Sequence, residues 1–167
     1  GQFAAEDEGK LVKLTDESRY ELCAAGDPIE GVIAAVDNAT SGGYSIGSIY
    51  KSGRIWALAD GLEATPGTGT VTLGSYVVCG TVTALGTDLS SFPKVCKATN
   101  QPGTAVVSTL AGGDTAAAVK TVVDAALVKV ADAELNSLHA WRVVSLGTAG
   151  TGAVGTTIVI ERVNAGH

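Results

Sequence analysis

Positive charge is scarce in this sequence, and the scarcity argues first against a nucleic-acid partner. Eleven Lys and Arg stand against seventeen Asp and Glu, a formal net charge of -6. The cations are scattered, so no basic stripe is available to neutralise phosphates and no direct nucleic-acid contact is expected. Cysteine is sparse too: Cys23, Cys79 and Cys96 are an odd number at long, unpatterned spacing. That excludes a disulfide framework and a zinc site, leaves buried free thiols as the expectation, and points to no metal and no cofactor. Long hydrophobic runs are missing. Lys120, Asp124 and Lys129 interrupt the most apolar stretch, well short of the roughly 20 residues a membrane span requires. Methionine is absent and aromatics are only 5%, so core volume has to come from small and β-branched side chains. The opening residues reach Glu6, Asp7 and Glu8 at once, so no secretory signal is expected there.

What remains is 22 glycines in a chain dominated by Ala, Val and Thr, a mixture suited to short strands and many turns. Residues 1–9 are acidic and lack periodicity, and read as an extended N-terminal arm outside the core. Lys10 to Leu14 and Arg19 to Cys23, joined by a short polar turn, form one expected hairpin. Gly31 to Val36 is a continuous apolar run of the length of a buried strand. Tyr44 to Tyr50 and Arg54 to Ala59, joined across Lys51, Ser52 and Gly53, form a second expected hairpin. Asp60 to Gly69 reads as an exposed connection. Further strands are expected at Tyr76 to Cys79, Thr81 to Leu85 and Lys94 to Ala98. A helix is expected to start near Asp114, a good N-cap. Whether residues 119–131 continue that helix or form a strand stays open, because Val122, Val123, Val128 and Val130 favour strands. The chain closes with a hairpin of Trp141 to Leu146 and Thr156 to Val163 around a glycine loop. The fold class is therefore mainly β: a compact small barrel or sandwich of hairpins with at most one or two short helices. Residues 10–167 are expected to form a single β-rich domain.

Two stretches resemble catalytic motifs, and their surroundings argue against both. Gly43, Tyr44, Ser45, Ile46 and Gly47 match the G-x-S-x-G nucleophile elbow, but run into strand residues rather than a helix. The only histidines are His139 and His167, and a structural role is the better reading of His139. Gly150 to Gly155 matches G-x-G-x-x-G, yet a strand follows where a dinucleotide site requires a helix. A small serine hydrolase is thus the weakest of the functional readings. Of the two tryptophans, Trp56 is the expected core residue because it lies in an alternating strand, while Trp141 and Ile158 are expected to be oligomer contacts.

The segment GDPIEGVIAAVDNATSGGYSIGSIYKSGRIWALADG, Gly26 to Gly61, resembles the capsid decoration or cement proteins of tailed phages. In that family a glycine-flanked strand precedes a short loop, a hairpin and a returning strand. The closing WRVVSLGTAGTGAVGTTIVIERV is similar to a virion β-hairpin, while Thr87 to Leu138 does not fit the shortest members and reads as an insertion. The resemblance implies a non-enzymatic virion protein, made in the host cytoplasm and bound to the major capsid protein on the outer head surface as a homotrimer. The lone large apolar Phe3 beside an acidic run suits an arm that contacts the capsid through Gln2, Phe3, Glu6, Asp7 and Glu8, with a merely disordered tail as the alternative. A glycan-binding or surface-display module is the alternative, marked by an exposed aromatic platform.

Overall fold

A computed structural model describes residues 3–15, 19–37, 46–82, 92–99, 101, 115–138 (side chains of 132–138 excepted) and 141–163. The strands are β1 (Leu11–Leu14), β2 (Tyr20–Leu22), β3 (Gly31–Asp37), β4 (Ile46–Tyr50), β5 (Arg54–Leu62), β6 (Thr65–Pro66), β7 (Tyr76–Cys79), β8 (Lys94–Lys97), β9 (Trp141–Ser145) and β10 (Thr157–Arg162). One helix, α1 (Ala116–Leu138), and a 3-10 turn at Ala5–Asp7 complete them. The order β10-β9-β7-β8-β5, with β10 also paired to β5, closes a five-stranded barrel that β6 extends. A second sheet has the order β2-β1-β3-β4.

Period-2 alternation builds the barrel core. Ala57 and Ile55 of β5 lie opposite Ile158 and Ile160 of β10, and all four belong to one apolar cluster with Ala59, Val77, Val95, Val143 and Trp141. The alanines matter because a narrow barrel holding an indole needs small neighbours to keep native packing density. Trp141 is fully buried while Trp56, on the opposite face of β5, is half exposed at 51%. The expectations for the two tryptophans are therefore reversed. Trp141 and Ile158, both at 0% exposure, fill their own chain's core and have no surface to offer a second copy.

In the second sheet Leu11 and Val12 of β1 and Gly31 to Ile33 of β3 are buried in succession, so that stretch is covered on both faces and its neighbouring side chains are apolar. Leu11 and Val32, directly opposite each other, face the barrel cluster. Their neighbours Val12 and Ile33 face the other way, joining Val36, Phe3, Tyr20 and Ile49 in a second cluster. That second face is what residues 3–9 cover. Gly9 donates its N–H to Ile33 O at 2.8 Å, Val36 donates to Glu8 Oε1 at 2.8 Å, and Asp7 accepts from Ala4 N at 2.8 Å and Lys10 Nζ at 2.7 Å. The described part of the expected arm is thus docked on the fold: a two-faced apolar strand leaves a surface that has to be covered, and Phe3 covers part of it.

Several expected elements are present, and one expected pairing is not. β1 pairs with β2 and β9 with β10, both antiparallel, as the two outer hairpins require. β4 and β5 both form, but β4 pairs with β3 and β5 with β10, β8 and β6. The turn at Lys51 to Gly53 therefore passes the chain from one sheet to the other instead of folding it back. The connection after Ala59 also differs from the exposed loop expected there. β5 continues to Leu62, and Asp60 is buried at 3%, where its carboxylate accepts the Thr81 N–H at 2.7 Å. Thr81 and Val82 are not in a strand; Thr83 to Leu85 and Asp114 lie outside the described residues. The open question over 119–131 resolves as helix.

A partly buried ion cluster ties the two sheets together. Glu30, just before β3, holds Lys51 Nζ at 2.9 Å and Arg162 NH2 at 3.2 Å, and Arg162 also donates to the carbonyls of Glu30 and Lys51 at 2.8 and 3.0 Å. Burial alone would push the Glu30 carboxyl up, but Lys51 and Arg162 outweigh it and hold it below the ordinary glutamate range. The hydrogen bond from the Ala4 N–H, aided by Lys10, likewise lowers Asp7. A depressed carboxyl stabilises the fold above its unfolded-state value, 4.5 for Glu30, and that contribution is lost as pH falls through the folded value. Stability is therefore expected to be level from neutral pH to the unfolded glutamate range and to fall in acid below it. Glu30→Gln is expected to cost about 3 kcal/mol at neutral pH by leaving the mostly buried Arg162 charge with backbone carbonyls but no carboxylate. Urea unfolding as a function of pH checks this. An acid limb as steep in the variant as in the parent would contradict it.

Candidate interaction surface

The apolar side chains left uncovered outline the candidate surface. β5 directs Trp56 outward because Ile55, Ala57 and Ala59 take the inward positions of the alternating strand. β8 lies parallel beside it, with Leu58 opposite Lys94, and the Leu58 N–H donates to Pro93 O at 2.9 Å. This pairing brings Phe92 against Trp56, with ring centroids 6.2 Å apart and planes tilted by 32°. An exposed indole braced by a second ring keeps little rotamer freedom to lose on binding, which is the character of an interface anchor. Ile46 and Tyr50 are exposed on β4, at the edge of the second sheet. Leu73 and Val154 are exposed on two loops that the Val71 N–H to Gly152 O bond of 2.9 Å joins.

The helix presents a second uncovered surface. Val123, Leu127, Val128 and Val130 are all exposed, Leu127 by 62%, and an i,i+4 ion pair joins Lys120 to Asp124. Among the described residues no helix is long and apolar enough to cross a membrane.

The residues singled out in the sequence are dispersed rather than gathered. Gln2 lies outside the described residues. Phe3 is half-buried against Val12, Ile33 and Val36, and Asp7 and Glu8 spend their carboxylates on bonds within the fold. Of the five arm residues, Glu6 and Glu8 are exposed. Gly43, Tyr44, Ser45, His139 and His167 lie outside the described residues. Gly47 belongs to β4, antiparallel to β3, a setting unlike the strand-to-helix turn of a nucleophile elbow. The Gly150 to Gly155 loop leads into β10 and is docked rather than free: Gly155 donates to Ala59 O at 2.8 Å, and Thr70 bridges to Ala153. No group of three or more His, Cys, Asp or Glu among the described residues is placed to hold a metal.

The sequence reading missed the exposed ring pair because alternation separates two faces without saying which one is the core. The signal present was composition: one face of β5 carries Arg54 with Trp56, the other Ile55 with two alanines, and the arginine marks the solvent side. Comparison with known proteins returns no matching family model, no matching curated protein and no matching solved structure.

Proposed function

We propose that this chain is a capsid decoration protein of a tailed phage, which binds the major capsid protein on the outer surface of the assembled head as a homotrimer and braces the shell without catalysing a reaction. The observation that supports this reading is the apolar surface a closed barrel leaves uncovered, above all Trp56 against Phe92. Uncovered apolar patches rimmed by polar residues are interaction sites. The resemblance of Gly26 to Gly61 and of the closing hairpin to the decoration family supplies the partner. A ligand that binds only the assembled lattice stabilises it by mass action, and three linked copies add avidity. With Trp141 and Ile158 buried, the apolar side of α1 is the better candidate for the contact between copies.

The ring pair also favours a second reading, a glycan-binding module displayed on the virion, since stacked aromatics suit sugar faces. Co-sedimentation separates the two. The protein is expected to pellet with expanded heads and not with unassembled capsid subunits, and Trp56→Ser is expected to weaken head binding about tenfold or more with its melting temperature unchanged. Retention on a glycan surface together with no pelleting on heads would favour the second reading.

A further inference from the structure

Cys23 and Cys79 are 56 positions apart in the sequence, yet the fold stitches their backbones together. Cys23 follows β2 and Cys79 ends β7. The turn after Cys23 docks on β7, with the Gly26 N–H donating to Cys79 O at 2.8 Å and the Cys79 N–H donating to Asp27 O at 2.9 Å. Both side chains are buried in the barrel cluster, with Cys23 Sγ donating to Pro28 O at 3.7 Å and Cys79 Sγ donating to Gly80 O at 3.5 Å. Both line an apolar cleft with Lys10, Leu11, Leu22 and Lys94, so a small polar oxidant has a route to them. Cys96 belongs to a separate cluster with Val78 and Ala98 and lies against the Asp60 carbonyl, 3.4 Å from its sulfur.

From this juxtaposition we infer that Cys23 and Cys79 are a redox-active dithiol, which a small peroxide oxidises to a disulfide that locks the four-stranded sheet to the barrel. The two sulfurs are unequal in the way such a pair requires. The neighbouring Cys23 lowers the Cys79 thiol, while Cys79, together with burial, pushes Cys23 up. Cys79 is the attacking sulfur. Its thiolate displaces hydroxide from the peroxide oxygen, breaking the O–O bond and giving a sulfenic acid. The Cys23 sulfur then attacks the sulfenic sulfur, the S–O bond breaks, and water leaves with the thiol proton. Two thiols and one hydrogen peroxide give one disulfide and two waters. Cys96, pushed up to about 12 by burial and by Asp60, stays a thiol.

The test is stoichiometric hydrogen peroxide on the folded, reduced protein, read by intact mass and peptide mapping. The expected product has lost two hydrogen atoms, links Cys23 to Cys79, keeps Cys96 titratable, and melts about 10 °C higher because the closed loop restrains the unfolded chain. A thiol reductant reverses both changes. Cys96→Ser is expected to behave like the parent. An unchanged mass, a product that has gained oxygen, or a crosslink that includes Cys96 would each overturn the inference on the parent protein alone, whether or not a Cys23→Ser or Cys79→Ser variant folds.

Discussion

Gly152→Ala is expected to destabilise the protein by about 4 kcal/mol or more. A Cβ built at this position would lie 1.7 Å from the carbonyl oxygen of Val71, a backbone atom that cannot rotate aside. That carbonyl belongs to the segment whose N–H donates to Gly152 O, so relieving the clash breaks the hydrogen bond and the neighbouring Thr70 to Ala153 bridge. Val71 is itself buried in the barrel cluster, so the displacement reaches the core. Gly150, two positions earlier, supplies the comparison. Its φ of 63° is unfavourable for alanine, but nothing lies within 4 Å of its Cβ position, and Gly150→Ala is expected to cost only about 1 kcal/mol. Urea denaturation of both variants measures the difference. Equal losses would show that the close approach of the two loops does not stabilise the fold.

The second large effect concerns Trp141. Truncation to alanine removes the largest fully buried side chain from a narrow barrel whose neighbours, Ala57 and Ala59 among them, cannot collapse to fill the space, and is expected to cost about 4 kcal/mol. A domain with stability in the usual range of about 5 to 15 kcal/mol would lose much of it. Trp141→Phe is expected to be far milder. The indole Nε1 is buried without a hydrogen-bond partner, and an unsatisfied buried donor costs about 1 to 3 kcal/mol. Phenylalanine creates a smaller cavity and removes that donor, so the two changes largely offset. Thermal unfolding that ranks phenylalanine as damaging as alanine would contradict this packing account.

How far the fold was legible follows from these same residues. The β1–β2 and β9–β10 hairpins could be read because their strands are close in sequence and their turns are marked by polar or glycine residues. The pairing of β4 and β5 with other strands could not, since Ile46 to Tyr50 and Arg54 to Ala59 have strand character whichever partner they take. The parallel alignment of β5 with β8 depends on closure of the whole barrel. In α1 the valines left the choice between helix and strand open, and the helix forms because a local β preference is weaker than a run of alanines and an i,i+4 ion pair. Phe3 looked free because its apolar partners, Val12, Ile33 and Val36, lie on the second face of strands that seemed simply buried. Nothing local in the sequence marks the cations that pair with Asp7 and Glu30, which are Lys10, Lys51 and Arg162, the last from the opposite end of the chain. The candidate surface was the least legible part, because exposure of Trp56 and its contact with Phe92 are both consequences of tertiary pairing.

The central claim is that the protein braces an assembled shell through its uncovered apolar surface. Its most direct measurement is the temperature at which DNA-filled heads lacking the protein release their DNA, with the purified protein added back at increasing concentration. The account predicts a release temperature that rises and saturates at a fixed ratio of bound copies to capsid subunits, and Trp56→Ser reaching the same plateau only at about tenfold or more higher concentration. A release temperature unchanged at full occupancy, or no saturable occupancy at all, would contradict it.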